Sequence, residues 1–224
     1  MIRNLKILFA AAMALAAFGA VSASGAQAAN EFHCSTKPCT LTIKPDGTGA
    51  TAHQVFIVKQ GANSLSTTCK EVSGHATIEQ EAVSSARFTN IKYTGCNIAG
   101  SASVVEMNGC EYNFISSGVQ KATVTVICPE GKSIEIKTTE GPVCIIKVGS
   151  QGPLAGIKFH DAETEGIKKQ ILTAEVDVVG LSGTVNGGCT GLKEGAVTGE
   201  YTTGNVEITG ETDPGGVMKN VWFE

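Results

Sequence analysis

Cys110-Glu111-Tyr112-Asn113-Phe114-Ile115 and Lys121-Ala122-Thr123-Val124-Thr125-Val126-Ile127-Cys128 decide the fold. In the second run apolar and polar residues alternate, the period of a strand with one wet face. The two runs are joined through Ser116-Ser117-Gly118, and a turn centred near Val119 sets Cys110 opposite Cys128. Cross-strand Cβ atoms lie about 4.5–5.5 Å apart, close to the roughly 3.5–4.5 Å that a disulfide spans. The spacing therefore predicts a hairpin stapled by Cys110–Cys128. Tyr112 and Phe114 share a strand face with Cys110 and should be buried beside it.

The same pattern runs outward in both directions. Thr40-Leu41-Thr42-Ile43-Lys44 alternates and is followed by a Pro45-Asp46-Gly47 turn. Val55-Phe56-Ile57-Val58 is continuously apolar, as for a strand covered on both faces. Asn108-Gly109 between Ser103–Met107 and Cys110–Ile115 is the local signal for a type I′ hairpin. Ser133–Lys137 alternates after Pro129-Glu130-Gly131-Lys132, and strand-like pieces continue at 143–148, 156–159, 176–179, 205–209 and 217–223. Helical periodicity is confined to Glu163–Ala174, where the β-branched residues that follow favour a strand from about Gln170. Roughly ten to thirteen short strands read as an all-β chain, a β-sandwich or two packed antiparallel β-sheets, disulfide-stapled. If the chain has two subdomains, Gly141-Pro142 is where their boundary is expected.

The N-terminus reads as an export signal. Arg3 and Lys6 precede Ile7–Val21, a run of 15 uncharged, mostly apolar residues, and Ala26-Gln27-Ala28 forms an A-x-A cleavage site. The run is short of the ~20 residues that span a bilayer. Residues 1–28 are expected to be removed, leaving a β-rich extracellular domain over 29–224 with no membrane span. Of 17 Lys+Arg, 15 would remain against 21 Asp+Glu. That net charge of −6 repels phosphate backbones, so nucleic acid is not an expected partner.

All eight cysteines, Cys34, Cys39, Cys69, Cys96, Cys110, Cys128, Cys144 and Cys189, lie beyond the cleavage site. An even number in an exported chain reads as a disulfide framework. Cys34 and Cys39 close a small local loop; order along the chain then couples Cys69 with Cys96 and Cys144 with Cys189. A zinc site would need two close ligand pairs, and only Cys34-x4-Cys39 is close.

Three stretches resemble a family of secreted actinobacterial proteins of uncharacterised function. They are Gly109–Phe114 with Val126–Ile134, then Cys144–Val148 with Gln151, Leu154 and Gly156-Ile157, and the Gly/Thr-rich Gly199–Gly204 leading to Trp222-Phe223-Glu224. The resemblance covers roughly residues 66–224, with the Cys34–Cys39 loop outside it. It implies export and a β-rich fold and carries no activity or catalytic residue.

No catalytic, cofactor-binding or metal-ligating set emerges from the motifs. Gly180-Leu181-Ser182-Gly183 misses the nucleophile elbow at its last position. His160-Asp161 are adjacent, point to opposite strand faces, and read as a loop after Phe159. His33, His53 and His75 are isolated. Glu79 with Glu81, and Glu175 with Asp177, would each share a strand face, where carboxylate pairs can serve glycoside hydrolysis or bind calcium; the alternation around them reads as the wet side of half-buried strands. Gly47-Thr48-Gly49-Ala50-Thr51-Ala52 mimics a dinucleotide fingerprint without its βαβ context. Most aromatics occupy core positions, and Trp222 is the candidate surface contact. The function expected is a secreted, non-enzymatic binding or structural module for an unidentified envelope or extracellular ligand, the alternative being a hydrolase of an extracellular polymer.

Overall fold

The computed structural model describes residues 30–44, 54–164, 167–212 and 216–224. The signal segment, the Pro45-Asp46-Gly47 turn, the Gly47–Ala52 string and His53 lie outside the described residues. No helix occurs among the described residues; they form eighteen strands, all paired antiparallel.

The strands group into eight long staves. After β1 (Phe32–Cys34), the first stave is β2 (Cys39–Lys44) with β3 (Gln54–Gln60), and the second β4 (Asn63–Cys69) with β5 (Glu71–Ile78). β6 (Ala82–Val83) lies in the link to the third stave, β7 (Ser85–Thr94) with β8 (Cys96–Ile98). The fourth is β9 (Ser101–Glu106) with β10 (Glu111–Gly118), and the fifth β11 (Lys121–Ile127) with β12 (Ile134–Thr138). The sixth joins β13 (Cys144–Val148) to β14 (Gln151–Thr164); β15 (Ile167–Gly187) and β16 (Gly195–Glu211) run unbroken as the seventh and eighth. β17 (Met218–Lys219) and β18 (Val221–Phe223) finish the chain.

Each stave pairs with its neighbours in sequence, and the last returns to the first: β16 pairs β2 through Ile208↔Ile43 and β3 through Tyr201↔Phe56. The ladder is therefore a closed up-and-down barrel, which leaves no free sheet edge in its wall. The two packed layers expected from the alternation are its opposite walls. Six staves are interrupted at mid-height, so the barrel has an upper half built on β3, β4, β8, β9, β12 and β13 and a lower half built on β2, β5, β7, β10, β11 and β14.

The waist explains two departures from the expected strand plan. Asn108 and Gly109 have φ of 51° and 82°, and Cys110 N–H donates to Met107 O at 2.8 Å, so the turn is made. However, β9 pairs with β8 and β12 whereas β10 pairs with β7 and β11. The Asn-Gly turn is a kink that moves one stave from the upper half to the lower, not a hairpin. Val55-Phe56-Ile57-Val58 alternates in burial, with Phe56 and Val58 buried and Val55 and Ile57 half-exposed, because the closed barrel covers only one face of each stave.

The bridges are Cys34–Cys39, Cys69–Cys96, Cys110–Cys128 and Cys144–Cys189. Cys69–Cys96 and Cys110–Cys128 sit at the waist, joining neighbouring staves where the backbone ladder is broken. Cys110 and Cys128 flank the pair Glu111↔Ile127, as the hairpin spacing requires. Gln151 mends a further break: its amide donates to Ser182 O at 3.0 Å and accepts from Ser182 N–H at 2.7 Å.

One apolar cluster runs from Phe32 to Phe223 and spans both halves. Gly141-Pro142 lies in the turn between β12 and β13, which pair with each other. A small sheet, β18–β1–β6, packs against the lower end. Its Phe32 and Phe223 rings lie 5.1 and 4.7 Å from Phe159 of β14.

Candidate functional site in the barrel interior

Inside the barrel is a cavity of about 80 Å³. Its wall is apolar, with Val124, Ile157, Phe159, Val176, Val206 and Ile208 among the lining residues, and a few polar side chains face it near the waist: Tyr93, Tyr112, Tyr201 and Thr203. Tyr93, Tyr112 and Tyr201 are all the tyrosines of the chain.

Local backbone features bring them together. β7 buries Ala86 and Phe88, then shifts phase at Thr89-Asn90, with Asn90 at φ 50°, and buries Ile91 and Tyr93. Gly74 of β5 makes the room, since a Cβ there would stand 2.4 Å from Ile91 Cδ1. Tyr112 enters from β10 on the face expected from Cys110. Tyr201 comes from β16, opposite Phe56. Phe56 packs 5.3 Å from Tyr93 and 4.6 Å from Tyr201, ring centre to ring centre.

The hydroxyls form a short polar chain. Tyr93 Oη and Tyr112 Oη are 3.1 Å apart. Tyr201 O–H donates to Oε1 of the buried Gln54, whose Nε2 donates to Thr203 Oγ1 at 2.8 Å. Burial raises the Tyr112 phenol to about 12 and holds Tyr93 and Tyr201 well above the usual 10, the first reinforced by its two tyrosine neighbours. The network is neutral in ordinary buffers, because an ion there would lose its hydration.

The residues singled out by the motifs lie elsewhere. His160 and Asp161 belong to β14 rather than to a loop, the hairpin with β15 being longer than the alternation suggested. His160 Nε2 stands 3.6 Å from Glu175 Oε2 on the exposed outer face, and Asp161 Oδ1 accepts from Phe223 N–H at 2.9 Å. Glu175 and Asp177 do share the wet face of β15. Glu79 and Glu81 fall beyond the end of β5 and share no strand. Gly180-Leu181-Ser182-Gly183 lies within β15, with Gly180 at a bulge. His75 meets Asn90 Nδ2 at 3.2 Å. Trp222 is on the outer face of β18, stacked on His33 at 5.1 Å with planes 5° apart, and its Nε1–H donates to Glu224 Oε1 at 2.9 Å. Among the described residues no group of three His, Cys, Asp or Glu side chains could hold a metal ion.

The outer wall is charged. Ion pairs Lys137–Glu106, Lys147–Glu135 and Lys158–Glu175, at 2.7, 2.8 and 3.6 Å, join neighbouring staves, as do Lys59–Glu200 and Arg87–Glu111. A barrel facing lipid carries an apolar band there and a polar lumen; this wall has the reverse arrangement. No helix among the described residues is long and apolar enough to cross a membrane.

No protein-family model matches the chain, and neither the curated proteins nor the solved structures contain a match to it.

Proposed function

We propose that this chain is an exported, non-enzymatic binding protein whose ligand is held inside the barrel. Export is supported by the charged start, apolar run and Ala26-Gln27-Ala28 signal, by the likeness to secreted actinobacterial proteins, and by four disulfides, which persist in oxidising surroundings. The observation that carries the binding reading is the cavity itself: an apolar chamber with a small set of convergent polar groups, the usual character of a ligand pocket. Closed barrels of eight strands have interiors that side chains fill or that hold one small ligand.

The test is a screen of the oxidised chain against small apolar molecules and, in parallel, envelope polymers and glycans, following both binding and depletion. Retention of small apolar molecules without conversion supports the reading. Turnover of any compound, abolished by changing one polar residue, would establish the hydrolase instead. Polymer binding that leaves the tyrosine signals unmoved would put the site on the outer wall and overturn the interior reading.

A further inference from the structure

We infer that the interior site selects a compact, uncharged molecule with a small apolar body and a single hydroxyl group, a small aliphatic alcohol, which docks its oxygen on the Tyr93–Tyr112 end of the hydroxyl chain. This deepens the interior-binding reading and rests on it.

Size comes first. An engineered cavity of about 150 Å³ lined by apolar side chains stays dry and takes a benzene ring. The present cavity, at about 80 Å³ roughly half that volume, sets a limit of about three heavy atoms unless the walls give. Charge comes next. No Lys, Arg, Asp, Glu or His lines the cavity, so an ion entering it would leave its hydration shell without a counter-charge. The ligand is therefore neutral.

The polar group follows from counting hydrogens. Tyr201 spends its proton on Gln54, and Gln54 spends one of its own on Thr203. Between Tyr93 and Tyr112 the bond can run either way. If Tyr112 donates, its oxygen keeps free lone pairs; if Tyr93 donates, the Tyr112 proton is free. Hydroxyl rotors turn with little cost, so this end of the chain can offer a donor or an acceptor. A hydroxyl on the ligand satisfies both cases. A ketone answers only one, and a hydrocarbon answers neither, leaving the spare donor or acceptor of the Tyr93–Tyr112 pair unused.

The experiment compares ethanol, propane and ethylammonium, three heavy atoms each, on the oxidised chain, with tyrosine ring NMR signals as the readout. Ethanol should bind roughly fivefold or more tighter than propane, the worth of one neutral hydrogen bond, and the cation should not bind. In the Tyr93→Phe/Tyr112→Phe double variant the alcohol's advantage should vanish while propane still binds. Should that variant fail to fold, ring-to-carbinol proton contacts in the wild-type chain decide: their presence supports the docking, and their absence during binding overturns it. Equal binding of alcohol and hydrocarbon, or binding of the cation, overturns the hydroxyl selection and leaves the interior-binding reading standing. No response to any probe overturns both.

Discussion

At Gly156 the backbones of β14 and β15 come so close that an added Cβ would lie 1.9 Å from the carbonyl oxygen of Asp177, at a φ of +113°. Neither neighbour can move without breaking the ladder, so Gly156→Ala should cost about 3 kcal/mol or more in urea unfolding, combining overlap with backbone strain. Gln151→Ala removes both hydrogen bonds to Ser182, whose exposed backbone groups then turn to water; a loss of about 1 kcal/mol is expected in the same measurement. The tyrosines give a spectroscopic test. A phenol whose pKa is raised by folding keeps its proton when the unfolded chain would have released it. Its contribution is intact below about 10 and is lost as pH climbs through the folded value, about 12 for Tyr112. Tyrosinate absorbance of the native chain should thus stay near zero at pH values where the denatured chain titrates fully, and should then rise together with loss of structure. A normal phenol titration in the native state would contradict the buried network.

At the scale of the elements, alternation at Ala122–Cys128 and Ser133–Lys137 was legible because each stave has one dry face. Continuity was not. Pro129-Glu130-Gly131-Lys132 and Asn108-Gly109 carry turn chemistry, and local signals cannot distinguish a chain that doubles back from one that kinks and continues across a waist. Strands of two or three residues, such as β6 and β8, carry no period to read. The disulfides should rank by the loop each closes. Cys144–Cys189 spans 45 residues and Cys34–Cys39 only 5; the loop-entropy relation gives about 4 against about 2 kcal/mol. Paired Cys→Ala variants at the two bridges, compared by denaturant midpoint with no change expected in fold, test that order.

For the whole molecule, closure was out of reach of the sequence because it depends on β2 and β3 meeting β16, pairings separated by most of the chain. The site was half legible: Tyr112 and Phe114 were placed on the buried face with Cys110, but nothing in the spacing of Tyr93, Tyr112 and Tyr201 shows that a phase shift at Asn90 and the ring closure unite them. Pairings of such long range slow folding, so the oxidised chain should refold more slowly than helical proteins of its size, over milliseconds to seconds, in a stopped-flow experiment. A microsecond phase recovering the full tyrosine signal would argue against a closed barrel.

The sheet at the lower end has a consequence for the order in which the molecule can be finished. β1 is held by β18, and Glu31 and Glu224 exchange backbone hydrogen bonds of 2.6 and 3.2 Å. Phe32 and one edge of β1 therefore stay uncovered until Val221–Phe223 have been added to the growing polypeptide. Synthesis thus reaches the strand that seals β1 only after the whole wall has been made, and a variant lacking Val221–Glu224 would be left with the floor of its barrel open.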